Sequence, residues 1–163
     1  MAKAKEIEGL SADDSYGEAA AKIVSTRVGE LNEQVRGVLD TRDIERVHDM
    51  RVATRRLRAA LEVFEPCFPK KPYRQAVGEV KKLAEGLGER RDREIAIAAL
   101  RGFNDQMPAP DQRGVESLIS RLHDEQAQAN VDLAPLVDQG NLVPLNESLG
   151  ALVEAAREKG EGG

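Results

Sequence analysis

The chain has 163 residues, 40% of them hydrophobic and 33% charged, with a formal net charge of -5, which suits one domain built around a single core. Aromatics make up 3%, Trp is absent and Cys67 is the one cysteine; this excludes an internal disulfide framework and a Cys-based zinc site and leaves no stacking platform for single-stranded nucleic acid. The core must come from Leu, Val, Ile and Ala, which favours helix-on-helix packing. The N-terminal run MAKAKEIEGLSADD lacks the apolar centre of a signal peptide, and no apolar run reaches membrane-spanning length, so the expected setting is cytoplasmic, with no membrane partner.

In chain order, residues 1–14 are polar and are expected to be flexible. A helical period then begins, with Ala19, Ala20, Ile23, Val24, Val28, Leu31, Val35, Val38 and Leu39 recurring at three- and four-residue steps, one apolar face. Ser15 or Asp14 can cap this first helix, and the pattern predicts its end near Thr41. Asp43 is the expected cap of a second helix, which runs through Val47, Met50, Leu57, Leu61 and Phe64; Pro66 and Pro69 stop it. A third helix is predicted to begin near Pro72 and to carry Val77, Val80, Leu83, Leu87, Ile95 and Leu100. The pair Gly86 and Gly88 inside it predicts close packing or a bend. A fourth helix follows the Met107–Pro110 loop, and Pro135 stops it or marks its last turn. Gly140–Asn141 reads as a turn before a short fifth segment, 142–157, and residues 158–163 read as a disordered tail. The expected architecture is an all-α antiparallel bundle over residues 15–157, with no strand-like alternation.

The charge is unevenly distributed. From Arg46 to Arg58 the sequence holds five arginines and one acid, Asp49, a basic segment inside an acidic protein, and distribution matters more than the total. On a helical wheel at about 100° per residue, His48, Arg51, Arg55 and Arg58 fall within roughly an 80° stripe, opposite Met50, Leu57, Leu61 and Phe64. Arg56 falls outside that stripe. Stacked guanidiniums repel one another, and each presents a planar fork that fits phosphate oxygens; His48 donates from both nitrogens when protonated. The ladder spans about 15 Å, long for one phosphate and suited to a chain of them. A charge stripe on a helix is more often a solvated face or a set of intrachain ion pairs, so the stripe alone does not decide the matter. On the third helix, Lys81 and Arg91 face the ladder if the two helices form an antiparallel hairpin. Gly88 would then permit close approach, and Asp92 would orient an arginine.

The run Val47-His48-Asp49-Met50-Arg51-Val52-Ala53-Thr54-Arg55-Arg56-Leu57-Arg58-Ala59-Ala60-Leu61 resembles the signature of the CHAD family, the conserved histidine α-helical domain. The later run Leu87-Gly88-Glu89-Arg90-Arg91-Asp92 resembles that family's second block. The resemblance implies helical bundles that bind inorganic polyphosphate through a basic groove. A catalytic triphosphatase role is disfavoured because the ladder lacks the clustered carboxylates that would hold Mg²⁺, and no cofactor is expected. Carried over by matching position, His48, Arg51, Arg55, Arg56 and Arg58 are ligand or ligand-supporting residues, Lys81, Lys82 and Arg91 are further ligand residues, and Asp92 is a supporting one. CHAD domains look like two four-helix halves related by a pseudo-twofold axis. Only the first half is recognisable here, from about Ser15 to Leu133, with no second His/Arg run after Arg101. The expectation is therefore half of a double bundle, an antiparallel four-helix bundle whose groove is completed by homodimerisation. The expectation extends to association with polyphosphate granules. The rivals are a histidine phosphotransfer-like signalling domain, disfavoured by Val52 one turn after His48, and a helical interaction module that has lost its ligand. Nucleic acid is disfavoured by the acidic remainder of the chain. A metal site from His48 and His123 is disfavoured because neither has ligand-type spacing to a second donor set.

Overall fold

The computed structural model describes residues 2–162, and among them the regular structure is entirely helical. Five α-helices follow in order: α1, Tyr16–Glu33; α2, Ile44–Val63; α3, Lys70–Asn104; α4, Ala109–Val137; and α5, Gln139–Glu161, with a short 3-10 turn at Glu65–Cys67. Helices α1, α2, α3 and α5 pack in a ring, each on the next, and α4 lies chiefly against α3. None of the described helices is long and apolar enough to cross a membrane.

The start of α1 follows the cap rules. Ser15 accepts from the Glu18 N–H at 3.2 Å and Glu18 returns a bond to the Ser15 N–H at 2.7 Å, a reciprocal capping box. The helix ends at Glu33, about two turns before Thr41. Gly37, at φ 78, takes a left-handed conformation that a helix does not use, and the chain turns there. Val38 still reaches the core from this loop while Leu39 is exposed, which explains how an apolar period can outlast the helix. The predicted Asp43 cap also differs: the Asp43 side chain makes no capping bond and instead pairs with Arg46 at 3.2 Å.

A buried ion pair fixes the loop between α1 and α2. Arg90 of α3 is fully buried and lies 2.9 Å from Glu94. Its guanidinium donates to the Val38 carbonyl at 3.3 Å and to Asn130 of α4, and Asn130 donates to the Leu39 carbonyl at 2.9 Å. Burial pushes the Glu94 carboxyl up while Arg90 and Arg91 pull it back. Such a pair contributes less to net stability than to holding its neighbours in one arrangement; here it holds the loop from which α2 starts.

Helix α3 begins at Lys70, with Pro69 in the cap position, which places Pro72 in its first turn, as the sequence predicts. It runs unbroken across Gly86–Leu87–Gly88. A Cβ on Gly86 would approach Leu136 of α4 to 2.7 Å, whereas one on Gly88 would meet nothing within 4 Å. Gly86 therefore permits the close α3–α4 approach, and Gly88 borders open space. From Ala98 through Glu125 no residue is fully buried, so the C-terminal turns of α3 and the first half of α4 lie beyond the main core.

Pro135 marks the last turn of α4, where its missing N–H costs one bond. Both chain ends differ from expectation. Gly140 and Asn141 form the first turn of α5, capped by Asp138 accepting from the Asn141 N–H at 3.2 Å. Helix α5 continues to Glu161, so residues 158–161 of the predicted disordered tail are helical; Gly163 lies outside the described residues. The N-terminal segment, expected to be flexible, lies against α1 and α2. The Ala2 N–H donates to Asp49 at 2.9 Å, the Lys5 N–H donates to Glu30, and Arg27 and Arg56 donate to the carbonyls of Lys5 and Ala2. Burial would raise the Glu30 carboxyl, but the Lys5 amide and Arg27 outweigh it and hold the group below its ordinary range.

The crossing of α1 and α5 is the tightest in the bundle. A Cβ on Gly17 would fall on the Ala156 carbonyl and within 2.8 Å of the Gly160 nitrogen. Overpacking of this kind costs about 1–3 kcal/mol. Gly17→Ala should lower unfolding free energy by about that amount, measured by urea denaturation, whereas Gly29→Ala, where a Cβ meets nothing within 4 Å, should not.

Candidate functional site

Helix α2 is held by its core face. Val47, Met50, Leu57 and Leu61 are all fully buried, and each large apolar side chain contributes roughly 1.5–3 kcal/mol relative to exposure. That anchoring leaves the opposite stripe to face outward. Helices α2 and α3, joined by the short link 64–69, form between them an open groove of about 350 Å³. Its walls carry His48, Arg51, Arg55 and Arg58 from α2 and Lys81 from α3. Val52 and Ala84 form its apolar floor, and Glu85 of α3 adds one carboxylate.

The groove gathers cations that have no partner. Many arginines elsewhere are paired: Arg27 with Glu30, Arg42 with Asp40, Arg46 with Asp43, Arg90 with Glu94, Arg93 with Glu89 and Arg157 with Glu154. Among the described residues, the side chains of Arg51, Arg55, Arg58 and Lys81 make no ion pair or hydrogen bond to the chain. Arg51, Arg55 and Lys81 are exposed, while His48 and Arg58 are half-buried. The Arg58 Nε is buried with no partner, a donor left without an acceptor at appreciable cost. Like charges held together without counter-charge are unfavourable, and an anion in the groove would relieve both the repulsion and the unmet donor.

The structure brings together five of the nine residues singled out in the sequence: His48, Arg51, Arg55, Arg58 and Lys81. Four lie elsewhere. Arg56 turns to the other side of α2, where it donates to the Ala2 carbonyl at 3.3 Å and lies 4.0 Å from Glu30. Its wheel angle had already separated it from the stripe; the family pattern had not. Lys82 points to a different cavity, shared with Leu136, Asn141 and Leu145. Arg91 pairs with Glu94 at 3.4 Å, so its fork already has an acid. Asp92 is exposed and orients no arginine among the described residues; Glu94, buried and reached by both Arg90 and Arg91, takes that part. Glu85 was missed, although a residue four positions after Lys81 shares its helix face. His123, read as unsuited to phosphate, lies 3.0 Å from Arg101 and away from the groove.

Comparison with known proteins follows the same lines. The sequence model of the CHAD domain matches residues 22–162, well past Leu133, where the recognisable motifs end. The crystal structure of the CHAD domain from the plant Ricinus communis is similar in fold, with a TM-score of 0.70 and 25% sequence identity over 93% of this chain. That superposition covers 50% of the plant chain, so the protein spans about half the length of that relative. No curated protein matches the sequence at a significant level. By its helical fold and by a family match over most of its length, the chain belongs to the CHAD family.

Proposed function

We propose that the protein binds inorganic polyphosphate in the α2–α3 groove, without a covalent step. The observation that carries this reading is the set of four cations, Arg51, Arg55, Arg58 and Lys81, that share one open groove and have no acidic partner among the described residues. Their spacing along α2 suits a ligand with charge repeated along its length. Arginine forks bind successive phosphates by paired, charge-assisted hydrogen bonds. His48, half-buried at one end, adds a donor when protonated. The CHAD resemblance implies the same ligand class.

A second copy of the chain completes the site in this reading. The groove draws its cations from α2 and α3, and the chain spans about half of the plant CHAD chain. A twofold pair would set a second ladder against the first and enclose the ligand from two sides. Size-exclusion chromatography with light scattering, with and without long-chain polyphosphate, should read a dimer mass. A strict monomer that binds the polymer tightly would contradict the pairing and leave the groove reading intact.

Arg51→Ala and Arg55→Ala should each weaken polyphosphate binding by about tenfold or more and reduce the slope of log affinity against log salt, because each removes one phosphate contact. Arg56→Ala should leave affinity and slope within about twofold of wild type, since Arg56 faces Ala2 and Glu30 instead, and one fewer surface charge does little. Isothermal titration at several salt concentrations reads both quantities; equal losses in all three variants would contradict a groove-specific site.

A further inference from the structure

Helices α2 and α3 run antiparallel, so their residues can be matched by distance from the link that joins them. At about 1.5 Å per residue, Arg58 stands about 7.5 Å back from the end of α2 and Arg74 about 6 Å in from the start of α3. Lys81, about 16 Å in, is level with Val52, and Glu85, about 22 Å in, is level with His48. All four of those last residues line the one groove, which supports the matching. Arg74 therefore stands at the Arg58 end, about 20° round α3 from Lys81. Between them on the same side is Gly78, where even a Cβ would meet nothing within 4 Å, so the α3 wall is open at that point; on the facing α2 wall, Glu62 follows Arg58 by one turn and is exposed.

Past Arg58 lies a second cavity of about 400 Å³, lined by Arg74 and Lys70 together with Tyr73, Phe68 and Glu65. Arg74 and Lys70 are exposed and, like the groove cations, make no ion pair among the described residues. Two carboxylates oppose them: Glu65 on the wall of the cavity, and Glu62, near enough that burial, Glu65 and Glu62 together push the Tyr73 hydroxyl up.

Resting on the groove reading above, we propose that Arg74 and Lys70 continue the cation track out of the groove into this second cavity, so that long polyphosphate is gripped at both cavities and short polyphosphate at the first alone. The ligand then lies lengthwise along the α2–α3 seam, entering beside His48 and leaving over the link. Chain-length selectivity comes from the two outer cations and affinity for any chain from the inner ones. Glu65 opposes the outer contact and limits it.

The test uses the full chain, with sodium tripolyphosphate and a long-chain polyphosphate as probes in isothermal titration. The double variant Lys70→Ala/Arg74→Ala should bind tripolyphosphate within about twofold of wild type and lose about tenfold for the long polymer, with a shallower salt slope for the polymer only. Glu65→Gln should tighten the long polymer and leave tripolyphosphate unchanged. Both positions are exposed, and far-UV circular dichroism checks that the helices are retained. Equal affinity of wild type and double variant for the polymer would overturn the proposal, as would a parallel loss for both probes. If wild type binds neither probe, the groove reading itself fails and takes this one with it; loss of both probes in Arg51→Ala but of the polymer alone in the double variant is the pattern expected.

Discussion

The constraint on which the site depends is the two-sidedness of α2. One side is locked into the core by Val47, Met50, Leu57 and Leu61, so the helix cannot rotate to bury or spread its charges. The other side then holds Arg51, Arg55 and Arg58 in successive turns, facing Lys81 across a groove. Solvent and salt make such an arrangement tolerable, but it stores a preference for an anion. The core supplies rigidity and the uncompensated charge supplies affinity, and neither would make a binding site alone.

The surroundings of α2 reinforce this. The buried Arg90–Glu94 pair, with Asn130, fixes the carbonyls of Val38 and Leu39 and so the loop that leads into the helix. On the flank away from the groove, Asp49 and Arg56 hold Ala2. Several acids are engaged elsewhere, Glu30 by Arg27 and the N-terminal segment, Glu94 by Arg90 and Arg91, Asp40 by Arg42, which leaves Glu85 as the carboxylate that lines the groove. Asp40 shows how complete such pairing can be, since the bonds from Arg42 hold its carboxyl at about 2. A protein of net charge -5 can therefore present a cationic groove because its carboxylates are distributed, not because they are few.

The helical class, α2 and its ladder were legible in the sequence because each follows from periodicity: 3.6 residues per turn places His48, Arg51, Arg55 and Arg58 on one edge whatever the neighbours do. What the sequence did not yield depends on contacts distant in the chain. The end of α1 was misplaced because Val38 is buried from a loop, which preserves apolar spacing without helix. The fifth helix was shortened because Gly160 reads as a breaker until Gly17 is seen packed on it. Arg91 and Arg56 looked like ligand residues because a motif shows residue type and spacing, whereas their engagement by Glu94 and by Ala2 and Glu30 is tertiary. Glu85 follows Lys81 by about one helical turn, so the same wheel places its carboxylate on that face.

The central claim is that the groove cations are arranged for a phosphate chain. A crystal structure of the protein grown with tripolyphosphate tests it most directly. The account predicts phosphoryl groups seated between α2 and α3, with oxygens within hydrogen-bond reach of Arg51, Arg55 and Arg58 and with the Arg58 Nε donating to one of them. Phosphate absent from the groove at saturating ligand, or bound only at helix ends or elsewhere on the surface, would contradict it.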